Sequence, residues 1–170
     1  MAGPPRLGAD GIVAEIAIEN RSSYDYWAIR RSGDFYSLSS LSEDRQRPGH
    51  VFFNTRIVRA TEALLYCARL LSRLGADPSA SLVLAIRYGG LRDRRLSSAN
   101  PARSLSLENA ACAEDEVEAV VETTLGQIES DLVILVKELT KPLFVLFDFF
   151  ELSDAVYEDI VNRFVKGDVS

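Results

Sequence analysis

Alternating apolar and polar residues, with the period of two that is typical of strands, mark several parts of the chain. The alternating or β-rich aromatic stretches that we assign to strands are 12–19, 24–30, 34–40, 82–88 and 116–123, with a short strand at 95–97. Gly33 lies between two of them and supplies the positive φ that a tight hairpin turn needs. The pattern predicts a mixed or antiparallel sheet of about five strands.

A period near 3.6 predicts helices in the remaining apolar stretches. The first has an apolar stripe between Asn54, which can cap its N-terminus, and Gly75, which can end it. The stretch 124–127 fits a capping box that starts a second helix, and Pro142 should break and restart that helix because proline lacks an N–H. A last helix is expected over 154–166.

Together these elements predict a layered α+β fold, with a long helix on one face of the sheet and further helices at the C-terminal end. Residues 11–170 are expected to form a single domain. A chain of 170 residues is long enough to fold around one hydrophobic core, and no linker segment divides the sequence. Residues 1–10 are rich in Gly, Pro and Ala and are expected to form a flexible lead-in. Residues 91–113 are expected to be mainly a long loop.

Composition places the chain among ordinary globular proteins, with 47% hydrophobic and 26% charged residues. The longest apolar runs, 132–136 and 142–147, are far shorter than the roughly 20 residues that span a bilayer, so we expect no membrane partner. Cys67 and Cys112 are distant in sequence and lack the spacing of a metal or redox motif. This usage favours a reducing compartment, and we expect a cytoplasmic protein.

Charge is distributed unevenly along the chain. Residues 1–103 contain 15 Arg, no Lys and 10 acidic residues, a balance of +5. Residues 104–170 contain one Arg, three Lys and 15 acidic residues, a balance of −11. Two interpretations stay open: the basic half binds a polyanion, or the two halves fold against each other and largely neutralise.

Residues suited to catalysis are few. His50 is the single histidine, and neither cysteine has a basic neighbour in sequence that would mark a nucleophile. The acidic stretch 114–118 lacks the spacing of a calcium loop. Asp148 and Glu151 could form a carboxylate pair for acid/base chemistry, which leaves a small carboxylate-dependent enzyme as a third hypothesis. We therefore predict no catalytic residue, no metal site and no cofactor, and favour a protein that is not an enzyme.

An arginine-rich segment follows Gly89 and Gly90. Arginine side chains after a glycine turn can present paired donors to phosphate, although no phosphate-loop motif accompanies them. A tyrosine in the preceding strand could stack on a base. The candidate nucleic-acid or phosphate site comprises Arg56, Arg59, Arg87, Tyr88, Arg92, Arg94 and Arg95. The alternative is that these arginines pair with the acidic C-terminal half.

The stretch 143–150 offers more large apolar surface than one short helix usually buries. The candidate interface residues are Phe144, Phe147, Phe149 and Phe150. Burial of these rings in the core is the competing interpretation. Because no catalytic group accompanies them, the leading hypothesis is a non-catalytic interaction or oligomerisation module that binds a protein partner or itself, with nucleic-acid binding as the alternative.

Four stretches carry a resemblance to a known family. Residues 24–30, 33–36, 54–59 and 146–152 are similar to a region of bacterial Schlafen/AlbA-type DNA-binding (ATP-binding) proteins that follows the AlbA-like domain. The resemblance covers most of residues 11–166. It implies a C-terminal accessory domain of a larger bacterial regulatory or defence protein, with ATP or nucleic-acid chemistry located in the N-terminal part. No functional residue carries over from it.

Overall fold

The structure is a computed structural model that describes residues 4–18, 23–100, 111–148 and 151–168. Helices and strands occur together, which confirms the predicted α+β class. The chain divides into two compact units, Met1–Pro48 and Gly49–Ser170, and each is described by itself. The expected single domain over residues 11–170 stays a prediction.

The first unit is an antiparallel sheet of four strands in chain order. The strands are β1 (Arg6–Gly8), β2 (Gly11–Ile18), β3 (Ser23–Arg30) and β4 (Phe35–Ser39), followed by a short 3₁₀ helix at Ser42–Arg45. The N-terminal segment, which we expected to be a flexible lead-in, therefore contributes β1, with Gly8 opposite Gly11 across a two-residue turn. Three residues are too few for alternation to reveal a strand.

Gly11 allows the first unit to close tightly. Its φ is 155°, and a Cβ atom at this position would lie 2.0 Å from the carbonyl oxygen of Ile29 on the neighbouring strand. Only glycine permits such a close approach of two backbones. The β1–β2 turn therefore depends on this residue.

The second unit contains the three α-helices of the described chain. Its elements are β5 (His50–Phe52), α1 (Phe53–Arg73), β6 (Ser81–Gly89), β7 (Arg95–Ser97), β8 (Glu116–Thr124), a 3₁₀ turn (Leu125–Gln127), α2 (Leu132–Val145) and α3 (Asp154–Val165). β5 pairs in parallel with β7, whereas β6 pairs antiparallel with β8 over nine residues. Within the described residues, the strands of this unit thus form two separate two-stranded ladders rather than one sheet.

The core of the second unit lies among the three helices and the inner face of the β6–β8 ladder, and α2 packs on both β8 and α1. The bulkiest fully buried side chains are Tyr157, Phe144, Phe147, Ile57, Leu91 and Ile128. Burial of these groups is the dominant stabilising term for such a unit. No described helix is long and apolar enough to cross a membrane.

The start of α1 differs from the prediction. The helix begins at Phe53, and the Asn54 side chain does not cap it. The Asn54 side-chain oxygen instead accepts the backbone N–H of Ala99 at 3.0 Å, a partner 45 residues away. The predicted end is confirmed: Gly75 has a φ of 83° and directly follows the last turn.

The second predicted helix also starts and ends differently. Thr124 hydrogen-bonds the side-chain oxygen of Gln127 at 2.9 Å rather than capping a backbone N–H, so the capping-box prediction is wrong and α2 begins only at Leu132. Pro142 does not break the helix, which continues to Val145. A proline so close to the helix end removes one hydrogen bond, and the buried Leu143 and Phe144 hold the last turn in place.

Candidate functional site

The arginine-rich segment is a turn that is firmly tied to the chain before β8. Three backbone hydrogen bonds join the two segments. The N–H of Leu91 donates to the carbonyl oxygen of Asp115 at 2.9 Å, and the N–H of Asp93 donates to the carbonyl oxygen of Cys112 at 2.9 Å. The N–H of Cys112 donates in return to the carbonyl oxygen of Arg94 at 2.8 Å. Asp93 has a positive φ of 63°, which turns the backbone. The segment therefore continues the β6–β8 pairing beyond Gly90 as a braced turn.

Several of the candidate arginines are engaged within the fold. Arg87 forms an ion pair with Glu116, as the interpretation of internal neutralisation predicted. The Arg94 guanidinium donates to the carbonyls of Gly90 and His50. Arg59 pairs with Glu62 at 2.6 Å, three residues further along α1. These three guanidinium groups stabilise local structure.

The remaining candidates divide between the interior and the surface. Arg56 is buried, and Tyr88 is 8% exposed and belongs to the core, so its ring is not presented to a base as we had expected. Arg92 is exposed in the turn, and Arg95 is exposed at the start of β7. The structure thus presents a much smaller basic surface than the seven-residue cluster predicted from the sequence.

The aromatic interface prediction is wrong for the two rings that the structure describes. Phe144 and Phe147 are both buried in the core of the second unit. The Phe144 ring lies 6.5 Å from that of Tyr157 on α3. The reason is that α2 packs against β8, α1 and α3, so the segment is interior. Phe149 and Phe150 lie outside the described residues.

The candidate catalytic groups do not form an active site in the described part of the chain. Asp148 is exposed, and Glu151 is exposed and pairs with Lys141 at 2.9 Å. This hydrogen bond lowers the pKa of Glu151, whereas a general acid needs a raised pKa. Burial raises the pKa of the Cys67 and Cys112 thiols, which lowers the fraction present as reactive thiolate. No group of three or more metal-binding side chains occurs among the described residues.

The outer edges of the β6–β8 ladder are a feature that sequence reasoning missed. Within the described residues β6 and β8 pair only with each other, so each strand has one edge without a strand partner. The backbone N–H of Leu125 donates to the carbonyl oxygen of Ala80 at 3.0 Å. These two residues lie opposite each other, next to the paired residues Ser81 and Thr124, and so form a hydrogen-bonded pair of the ladder. Because such pairs alternate in an antiparallel ladder, the backbone groups of Val83, Ala85 and Val120 point outward.

The two edges differ in chemistry. The β6 edge carries a single charged residue, Arg87. Val83, whose backbone groups point outward at this edge, has a side chain that is 69% exposed. The outward positions of the β8 edge carry carboxylates on both sides of Val120, at Glu118 and Glu122. One edge is therefore nearly uncharged and the other is acidic.

A groove accompanies the β8 edge. It lies between β8 and α2, and its lining residues are Val120, Val121, Glu138, Lys141, Pro142 and Val145. The four residues from α2 follow the spacing of one helix face. Consecutive β8 residues point to opposite faces of the ladder, so a groove lined by both Val120 and Val121 must open along the strand edge.

Comparison of the chain with protein-family models, curated proteins and solved structures finds no match. The resemblance to Schlafen/AlbA-type proteins stays a prediction. The function proposed below therefore rests on the structure of the chain.

Proposed function

We propose that this chain is a non-catalytic interaction module that self-associates through the edge of β6 that faces away from β8. The observation that carries the proposal is a nine-residue strand with one charged residue and one edge without a strand partner among the described residues. Long, flat and apolar edges of this kind readily pair with another chain. The inner-face residues Leu82, Leu84 and Ile86 are only half-buried, so a neighbouring strand would cover further apolar surface.

An antiparallel pairing of two β6 strands gives the outward backbone N–H and C=O groups of each strand hydrogen-bond partners, and it brings no like charges together. With Ala85 opposite Ala85 of the second copy, Val83 lies opposite Arg87, and Leu84 lies opposite Ile86. Two ladders then become one continuous four-stranded sheet. The equivalent pairing of two β8 strands about Val120 would place Glu118 opposite Glu122, which is destabilising.

Sedimentation equilibrium over a wide range of protein concentration tests the proposal. We expect a reversible dimer for the parent chain. Ala85→Pro removes an outward N–H that the ladder does not use, and should weaken dimerisation by at least about tenfold while the circular dichroism spectrum is retained. Val120→Pro is the matched control on the other strand and should dimerise like the parent. A parent that stays monomeric, or an Ala85→Pro chain that dimerises equally well, would contradict the proposal.

The resemblance adds the setting in which such a module would work. It implies a larger bacterial regulatory or defence protein, and self-association of an accessory domain would bring two copies of that protein together. A cytoplasmic location is part of this proposal. The larger protein can be expressed with and without the Ala85→Pro substitution, and its size in solution measured. A smaller size with the substitution would mean that this domain controls the assembly of the larger protein.

Nucleic-acid binding is a second candidate, and the braced arginine turn is the observation that favours it. Arg92 and Arg95 are exposed on a backbone that three hydrogen bonds hold in place. Replacement of both by alanine should weaken binding to labelled DNA or RNA and reduce its salt dependence. Arg73→Ala, at an exposed position on α1, is the control. Absence of binding by the parent chain at low salt would remove this candidate.

A further inference from the structure

The groove between β8 and α2 lies beside a strand edge that can accept another strand. The outward backbone groups belong to Glu118, Val120 and Glu122, and no ion pair involves these two carboxylates among the described residues. Peptides that add to a sheet edge gain affinity from main-chain hydrogen bonds and specificity from pockets for alternate side chains. The β8 edge and its groove combine both elements.

The groove offers an apolar floor and two kinds of polar acceptor, a backbone carbonyl and the Glu138 carboxylate. Val121 of β8 and Val145 of α2 line it together with Pro142. Because Pro142 has no N–H, the carbonyl of Glu138 lacks its usual helix donor. Lys141, at the rim, is already paired with Glu151. An incoming segment would therefore meet apolar side chains, a carbonyl acceptor, the carboxylate of Glu138 and little net positive charge.

We propose that the β8 edge captures an extended basic segment of another protein. A strand added at this edge places alternate side chains on the same face as Glu118, Val120 and Glu122. Complementary charge requires Lys or Arg opposite each carboxylate and an apolar residue opposite Val120. The two intervening side chains point towards the groove and should be apolar. The recognised pattern is thus basic, apolar, apolar, apolar, basic.

Charge also decides against the β8 strand of a second copy as the occupant of the β8 edge. Pairing two β8 strands brings glutamates opposite each other, as described above. The acidic positions therefore favour a basic partner and disfavour a second β8 strand. The same two glutamates thus attract one kind of partner and repel the other. This inference goes beyond self-association at β6, because it concerns the opposite edge of the ladder.

Fluorescence anisotropy with a labelled peptide tests the proposal. The probe is Gly-Lys-Val-Val-Val-Lys-Gly, and the comparison peptide carries Glu in place of both Lys residues. We expect saturable binding of the basic peptide at low salt and at least about tenfold weaker binding of the acidic one, since two cross-strand charge pairs change sign. Equal binding of both peptides, or no binding of the basic peptide, would overturn the proposal.

Two variants test the backbone contact and the charge contact separately. Val120→Pro leaves the charges unchanged but removes an outward N–H, and should weaken peptide binding at least about tenfold. The double variant Glu118→Lys with Glu122→Lys should instead prefer the acidic peptide, because both cross-strand charge pairs are reversed. Ala85→Pro is the control and should bind the basic peptide like the parent.

The outcomes also distinguish this proposal from the proposed function. Loss of peptide binding in Val120→Pro with dimerisation unchanged supports capture at β8. Unchanged peptide binding in Val120→Pro overturns it, even if Ala85→Pro shows that β6 mediates dimerisation. A change of oligomeric state in Val120→Pro would mean that a second copy occupies the β8 edge, which also overturns it.

Discussion

Truncation of Phe147 tests whether the aromatic segment belongs to the core. The ring is 0% exposed. An aromatic side chain buries roughly 150–250 Å², which at about 25 cal/mol per Å² corresponds to about 4–6 kcal/mol. This is an upper bound because unfolded chains already bury part of that area. We therefore expect Phe147→Ala to lower the free energy of unfolding by about 3–5 kcal/mol.

Urea unfolding followed by circular dichroism measures this loss. The matched control is Ile134→Ala on α2, the helix that precedes Phe147; its side chain is 59% exposed and should contribute less than about 1 kcal/mol. Phe147→Leu, a smaller truncation, keeps the chain folded enough to measure if Phe147→Ala does not fold. A stability of Phe147→Ala within about 1 kcal/mol of the parent, together with weaker self-association, would refute burial and restore the interface interpretation.

Three further predictions follow from single contacts. Gly11→Ala should disrupt the first unit, because the new methyl group collides with a strand carbonyl, and the loss should appear as increased proteolysis of that unit. Glu151→Gln should flatten the acid side of the stability–pH curve. The pair with Lys141 lowers the pKa of Glu151 below its ordinary 4.5, so the stabilisation is present above that pH and is lost as the pH falls through the lowered pKa. Arg94→Ala should destabilise by about 1–2 kcal/mol through its two carbonyl contacts, whereas Arg92→Ala should stay within about 0.5 kcal/mol by denaturant unfolding.

Strand positions were predictable where local alternation reports the two faces of a ladder. The stretches 82–88 and 116–123 correspond to β6 and β8, and 95–97 corresponds to β7. Alternation carries no information about partners, however. The parallel pairing of β5 with β7 joins segments about 45 residues apart, so a three-residue strand that begins at His50 gave no local signal.

The candidate site was less predictable because identical residue types serve the core and the surface. Tyr88 and Phe144 are buried, although large aromatic side chains are equally suited to an interface. Asn54 has the chemistry of a cap, but a distant backbone N–H competes for its oxygen. The outer edges of the β6–β8 ladder depend on which strands pair with each other, and that is a property of the whole fold.

Among the described residues the β6–β8 ladder has two strands, and this number sets the valency of any assembly built on it. Joining two copies through β6 would place the two β8 strands at the outer positions of a four-stranded sheet, about 14 Å apart. Each would keep its acidic edge, facing away from the other. Such a dimer would be bivalent, so a partner with two suitably linked basic segments would gain avidity of about 10²–10⁴ over one with a single segment.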